Sequence, residues 1–379
     1  MVETGKPMWC LEFQVGSRGM QFGKQGALRM MLLLSLLNRS QMALGWLWRT
    51  MLAGEEQFIY GMLGHDGIPT RNYEEYKQAA ADYKKLEQYA FPYVPKPEIA
   101  MSYSYESYWL CDRDKDLFRK NYRSSLTAVR EVFFEKNMEY NVVDLHRMQN
   151  KYKLLIVPNH FLLDEEEAAT IRSFVEEGST VIMTGVSGVA DKTGKIYASP
   201  RPGGLTDVFG VRCAEFYRAS DAWRYGEDTY ESAKRGKYGE MLYIKGQETC
   251  FPISADYYEV LELKGAEPYA LFEGKELCAV AVNHYGKGTA FYMATELCPE
   301  LLSWLVDKVS EKLGLEPDIL VPQGIQARKI AENQYYFVNV TSEKRIIPLQ
   351  HSGRGVLSER SYDTELELDG YNAELIITE

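Results

Sequence analysis

The chain has no cysteine cluster, no long apolar run and no excess of positive charge. Its six cysteines, Cys10, Cys111, Cys213, Cys250, Cys278 and Cys298, are scattered; none forms a C-x-x-C pair, and the closest two stand twenty residues apart. That spacing excludes a compact zinc cluster and the disulfide framework of a small secreted domain, and it suits a reducing compartment, so the cytoplasm is the expected location. No basic segment followed by an apolar run opens the chain, so no signal peptide is expected. The apolar stretch over residues 30–37 is too short to cross a bilayer, and no membrane partner is expected. With 43 Lys and Arg against 54 Asp and Glu, the net charge of -11 argues against nucleic acid or an anionic membrane surface as partner. No internal repeat or low-complexity tract is present, and neither a cofactor nor a metal is expected.

What remains is an ordinary soluble composition, 45% hydrophobic and 26% charged, in 379 residues, enough for two or three domains. Aromatics are abundant, with 27 Tyr and 6 Trp, side chains that serve sugar platforms and interfaces as well as cores. The most informative stretch is Pro7-Met-Trp-Cys-Leu-Glu12-Phe-Gln-Val-Gly16. A short apolar strand runs into a carboxylate, a polar residue and a glycine turn. A glutamate at the C-terminal tip of a buried strand is where a (β/α)8 barrel keeps its catalytic groups.

Three blocks follow one another. Residues 1–92 read β-α-β-loop-α: a strand over 8–12, a helix over 25–37 with Leu28, Met31, Leu32 and Ser35 on one face, a second buried strand over 43–48, and a helix over 73–89 with Tyr76, Ala80, Tyr83 and Leu86 in a stripe. Three prolines between Phe91 and Pro97 make a linker. Residues 98–317 alternate strands (99–103, 154–158, 180–184, 279–283, 290–294) with helices (117–136, 164–177, 300–313), which predicts an open parallel α/β sheet. Asp164 and Glu167 predict a capping box, and Gly178 a helix stop. Residues 318–379 alternate without a helical period and predict a small antiparallel β domain.

At the level of these motifs the chain resembles the family-42 glycoside hydrolases, the β-galactosidases. The Glu12 stretch is similar to their nucleophile strand. Gly45-Trp-Leu-Trp-Arg49, Glu55-Glu-Gln57, Tyr60-Gly61 and His65-Asp-Gly67 look like their eighth barrel strand and following loop, and Asn72-Tyr-Glu-Glu-Tyr-Lys-Gln-Ala79 like their last barrel helix. The resemblance covers the whole chain but only about the last half of a family member. It implies the last two β/α units of a (β/α)8 barrel, then a glutamine-amidotransferase-like domain that builds a homotrimer, then a C-terminal β domain. It also implies roles: Glu12 as the nucleophile of a retaining reaction on terminal β-D-galactosides, Trp46 as an aromatic sugar platform, Glu56 as acceptor for galactose hydroxyls, and Arg49 as a group that orients a carboxylate or closes a surface pair.

The chain also departs from the family pattern. Ile59 stands where many members carry a histidine, and Met20 where an aromatic is expected. The acid/base of the family comes from an Asn-Glu pair, and no Asn-Glu dipeptide occurs anywhere in this sequence. Retaining hydrolysis needs a second carboxyl roughly 5–5.5 Å from the first. The expectation is therefore a truncated glycosidase, inactive alone, whose β-galactoside site would require an upstream chain carrying the rest of the barrel. A non-catalytic oligomerisation or carbohydrate-binding protein derived from that family is the alternative. An amidotransferase-like activity of the middle block ranks below both: Pro158-Asn-His160 follows one strand without a cysteine, and Gly185-Val-Ser187-Gly188 is a G-x-S turn with no partner arrangement.

Overall fold

The computed structural model describes residues 8–16, 23–38, 40–89, 91, 93–94, 96–113, 122–219, 241–255 and 257–378. Met20, the start of the helix expected from residue 117, and two prolines of the linker lie outside them. The chain divides into two compact units, one of Pro97–Phe133 with Glu139–Glu316, the other of Val2–Lys96, Phe134–Met138 and Pro317–Glu379.

In the second of these units, strand β1 (Met8–Gln14) runs parallel to β2 (Ser40–Trp46) in a two-stranded sheet. Helix α1 (Ala27–Ser35) connects them, and α2 (Arg71–Leu86) follows the loop after β2. Alanine, leucine, methionine and arginine, all good helix formers, fill α1. Phe13, Val15, Ala43, Leu28, Leu32, Met62 and Ala79 pack together between strands and helices.

Three expectations are corrected here. β1 and β2 are not buried strands: Trp9 is 57% and Leu11 66% exposed, because among the described residues no third strand covers them. On α1, Met31 is exposed while Met30 and Leu33 are buried. On α2, Ala80 faces solvent, and the buried stripe is Asn72, Glu75, Ala79, Asp82 and Leu86. Its carboxylates are buried because each has work: Asp82 pairs with Arg29 at 2.6 Å, and Glu75 holds the start of α1.

The other unit carries a nine-stranded sheet. Its elements are β3 (Ile99–Ser102), α3 (Tyr105–Arg113), α4 (Tyr122–Glu135), β4 (Asn141–Val143), β5 (Leu154–Val157), α5 (Glu165–Glu176), β6 (Thr180–Thr184), α6 (Thr206–Phe209), β7 (Val211–Arg218), β8 (Leu242–Lys245), β9 (Cys250–Ile253), β10 (Tyr257–Leu263), β11 (Glu267–Phe272), β12 (Leu277–Tyr285), β13 (Gly288–Met293) and α7 (Pro299–Leu313). The order in the sheet is β4-β3-β5-β6-β13-β12-β11-β8-β9, and β7 pairs separately with β10. The expected open parallel sheet is only half right. β4 to β13 are parallel, but β13-β12-β11-β8-β9 are antiparallel. The reason is local: Gly286 and Lys287 alone join β12 to β13, with Gly286 at φ +58°, and a two-residue connection makes a hairpin. β5 and β6 are buried throughout, as a parallel strand covered on both faces must be. The capping box of α5 forms, with Glu167 N–H on Asp164 at 2.8 Å and Asp164 N–H on Glu167 at 3.1 Å.

Residues 317–379 complete the unit that holds β1 and β2. Strands β14 (Ile325–Ala331), β15 (Gln334–Asn339), β16 (Arg345–Pro348), β17 (Gly353–Gly355), β18 (Ser361–Tyr362), β19 (Glu365–Leu368) and β20 (Ala373–Thr378) form antiparallel ladders. Tyr336, Val338, Ala373 and Leu375 from one face pack against Met30, Leu33, Leu36, Leu37 and Leu86.

Candidate active site

Glu12 stands near the C-terminal end of β1. Cys10 pairs with Ala43 and Phe13 with Gly45, so the ladder is irregular across Leu11 and Glu12. Such irregularities re-aim a side chain, and the Glu12 side chain is exposed. Among the described residues its carboxylate takes no hydrogen bond or ion pair. Trp46 ends β2 opposite Gln14 and is 37% exposed, so Glu12 and Trp46 lie at the same end of one sheet. The Trp46–Leu47 peptide is cis.

The loop after β2 is tied down through its backbone. Met62 N–H donates to Leu47 O at 2.9 Å and Leu63 N–H to Trp48 O at 2.8 Å. Thr50, 1% exposed, donates its hydroxyl to Leu63 O at 2.8 Å and accepts from Gly61 N–H at 2.9 Å. Among the described residues Arg49 reaches no carboxylate. It donates to His65 O at 3.0 Å, and His65 in turn sets Nε2 2.8 Å from Gln57 O. Glu55 and Glu56 form the short 3-10 turn Glu55–Phe58, with Glu56 half-buried and Glu55 exposed. Ile59 is buried, which takes the position expected for a sugar-binding histidine out of solvent. Trp48 is not a core residue: it is 60% exposed and meets Tyr73 edge-on at 5.9 Å. Gly16 allows Tyr60 to pass; a Cβ there would collide with the Tyr60 carbonyl.

Residues assigned no site role from the sequence do the positioning. Asn72 at the start of α2 donates to Val15 O at 2.6 Å, and Tyr76 donates to Ala43 O at 2.8 Å, so one helix holds both strands. Glu75 accepts Gly26 N–H at 2.9 Å and Leu28 N–H at 3.1 Å, capping α1 where Gly26 offers no side chain. The visible signal was polar residues at helical spacing on the face that must be buried.

Among the described residues the α/β unit offers no equivalent chemistry. Ser187 is 1% exposed and its Oγ accepts His160 N–H at 3.0 Å, while the His160 ring faces Ser102 and Glu167, so the G-x-S turn has no base on its hydroxyl. Burial pushes the Cys213 and Cys278 thiols up to about 12, which keeps them protonated and poorly nucleophilic. Among the described residues no group of three or more His, Cys, Asp or Glu is arranged to hold a metal ion. No helix among them is long and apolar enough to cross a membrane.

The family profile described as the β-galactosidase trimerisation domain matches residues 97–316. The chain belongs to the family-42 glycoside hydrolases, as a C-terminal portion that carries this domain. It is 24% identical over 342 residues to β-galactosidase GalA of Bacillus licheniformis, covering 87% of this chain and 48% of that protein. It is 25% identical over 296 residues to β-galactosidase BgaB of a Geobacillus species, covering 77% and 41%. The structure is similar to that of Gan42B, a family-42 β-galactosidase from G. stearothermophilus, with a TM-score of 0.83 at 23% identity over 98% of this chain and 54% of that one. It is also similar to a cold-adapted β-galactosidase from Rahnella sp. R3, with a TM-score of 0.84 at 19% identity over 99% and 55%. The chain thus spans about half the length of the relatives it matches.

Proposed function

We propose that this segment serves a retaining β-galactosidase and contributes its nucleophile, Glu12. The observation that carries the reading is the exposed Glu12 carboxylate near the C-terminal end of a parallel strand pair with one face left open. An ionised carboxylate on a strand end attacks the anomeric carbon, and a second carboxyl protonates the departing oxygen. Trp46 covers the apolar face of the galactose ring, Glu56 accepts its hydroxyl protons, and Arg49 holds the loop that presents Glu56 through its bond to His65 O.

In this reading β1, α1, β2 and α2 are the last two β/α units of a (β/α)8 barrel. The layout is barrel end over 1–92, amidotransferase-like trimerisation domain over 98–317 and β domain over 318–379, in a homotrimer. Exposed Trp9, Leu11 and Leu44 on a two-stranded parallel sheet support it, since parallel strands are ordinarily covered on both faces. The second carboxyl comes with a polypeptide that supplies the remaining strands, and the 379 residues alone do not turn over galactosides. The coding sequence upstream of Met1 tests this directly. Six further β/α units with an Asn-Glu strand end, in the same or an adjacent frame, are expected there. An unrelated gene would favour the non-catalytic oligomerisation or carbohydrate-binding reading instead.

A further inference from the structure

A charged cluster in the α/β unit has no part in the galactosidase reading. It lies outside the carboxyl ends of β3, β4 and β5. β3 has β4 on one side and β5 on the other, so the strand order reverses there, at the position where open α/β sheets leave a crevice. Here the crevice is filled by the chain's own side chains. Asp144 and His146 come from the end of β4 and the 3-10 turn Leu145–Arg147, and Asp164 and Glu167 from the start of α5. Ser102 ends β3, His160 follows β5, and Lys192 comes from the loop after β6.

The geometry treats the two histidines differently. His146 sets Nε2 2.9 Å from Asp164 Oδ2 and Nδ1 3.2 Å from Asp144 Oδ1, with Glu167 Oε1 3.7 Å from Nδ1. Ionised carboxylates only accept, and a neutral imidazole has one N–H, so both bonds together require the imidazolium. His160 sets Nε2 3.2 Å from Glu167 Oε1 but Nδ1 3.2 Å from Ser102 Oγ, which can itself donate, so a single ring N–H satisfies it. The buried Glu167 Oε1 is also met by Lys192 Nζ at 2.8 Å, and Lys192 lies 3.8 Å from Glu106 of α3. Arg147 lies 3.8 Å from Asp144. The His146 side chain is 32% exposed, so protons reach it from solvent.

We propose that His146 is a proton-operated latch that fastens the turn Leu145–Arg147, and with it the short edge strand β4, to the N-terminus of α5. As imidazolium it bridges Asp144 and Asp164. As neutral imidazole it keeps only one of these two bonds, and the hold on the turn weakens. β4 is the edge of the nine-stranded sheet and has three residues, and besides the latch its turn is held by buried Leu145 and by the His146 N–H, which donates to Asp144 Oδ1 at 3.1 Å. Burial by itself would lower the basicity of His146, but the bond to Asp164, the charge of Glu167 and the bond to Asp144 outweigh it and raise its pKa above the ordinary 6.5. A raised folded pKa means the latch contributes fully below about 6.5 and is lost as pH rises through the folded value.

The test is a pH titration of the full chain from about pH 5 to about pH 9, which spans the histidine range. It follows the His146 ring protons by NMR and amide exchange over residues 145–147, corrected for the intrinsic pH dependence of exchange. The expected results are a His146 midpoint above 6.5 and a drop in protection of the turn that tracks it. His146→Gln carries no titratable proton, so its turn is expected to show no step across this range. Asp144→Asn removes an exposed partner and is expected to move the midpoint down toward 6.5 in a folded chain. A His146 midpoint at or below 6.5, a protection step that persists in His146→Gln, or a midpoint unmoved by Asp144→Asn would overturn the proposal.

Discussion

Glu75→Ala is expected to release the start of α1 and so weaken the support behind the strand that carries Glu12. Glu75 is 9% exposed, accepts two backbone N–H groups at 2.9 and 3.1 Å, and lies 3.2 Å from Arg71 Nε. The N-cap position of α1 is Gly26, which provides no side-chain cap, so Glu75 supplies that function from 47 and 49 residues away. Loss of a helix cap costs about 0.5–2 kcal/mol, and hydrogen bonds to a charged acceptor are worth about 1.5–3 kcal/mol. Taken together, a cost of about 2 kcal/mol follows for alanine. Glutamine keeps one acceptor oxygen, so about 1 kcal/mol follows for Glu75→Gln. Because the chain has two compact units, a global melting curve need not report a single transition. Amide exchange over residues 27–35 is the appropriate probe. At a factor of ten per 1.4 kcal/mol, about 30-fold faster exchange is expected for alanine and about 5-fold for glutamine. Unchanged protection of α1 in Glu75→Ala would refute the argument.

Other consequences follow from the same contacts. Burial would raise the Glu167 carboxyl, but the bond from His160, with those from Lys192 and the Asp164 N–H, holds it at about 2 against an ordinary 4.5. A depressed carboxylate stabilises the fold above its ordinary pKa and loses that contribution as pH falls through the folded value. On the order of 3 kcal/mol should therefore disappear between about pH 4.5 and about pH 2, and Glu167→Gln should flatten that part of the acid-unfolding profile. An unchanged acid profile in the glutamine variant would contradict this. Sedimentation of the purified chain is expected to give a trimer; a monomer at all concentrations would separate the trimerisation reading from the sequence family that suggests it.

How far the sequence alone could go is clear from particular elements. The α5 capping box was legible because Asp164 and Glu167 have the right spacing and a helix start is a local event. β5 was legible as a continuous apolar run, and β6 as the β-branched stretch that follows the Gly178 helix stop. The antiparallel half of the sheet was not, because β8, β9 and β11 are short segments that carry Lys245, Pro252 and Pro268 and give no uninterrupted apolar run. The helix faces of α1 and α2 were misread at Met31 and Ala80 because polar Glu75 and Asp82 occupy buried positions, and only their partners Gly26, Leu28 and Arg29 explain why. At the candidate site, the family resemblance singled out Glu12 and Trp46, and both lie exposed at one end of the β1-β2 sheet. The supporting bonds of Asn72, Tyr76 and Thr50 reach backbone groups 11 to 57 residues away, which no local pattern reveals.

The most direct measurement is the hydrolysis of a chromogenic β-D-galactoside by the purified 379-residue chain beside Glu12→Gln. Both are expected to be indistinguishable from buffer, since in the proposed reading Glu12 is one carboxyl of a two-carboxyl reaction. Turnover by the chain that vanishes in Glu12→Gln would contradict the account, because it would mean that these residues assemble a complete site without further strands.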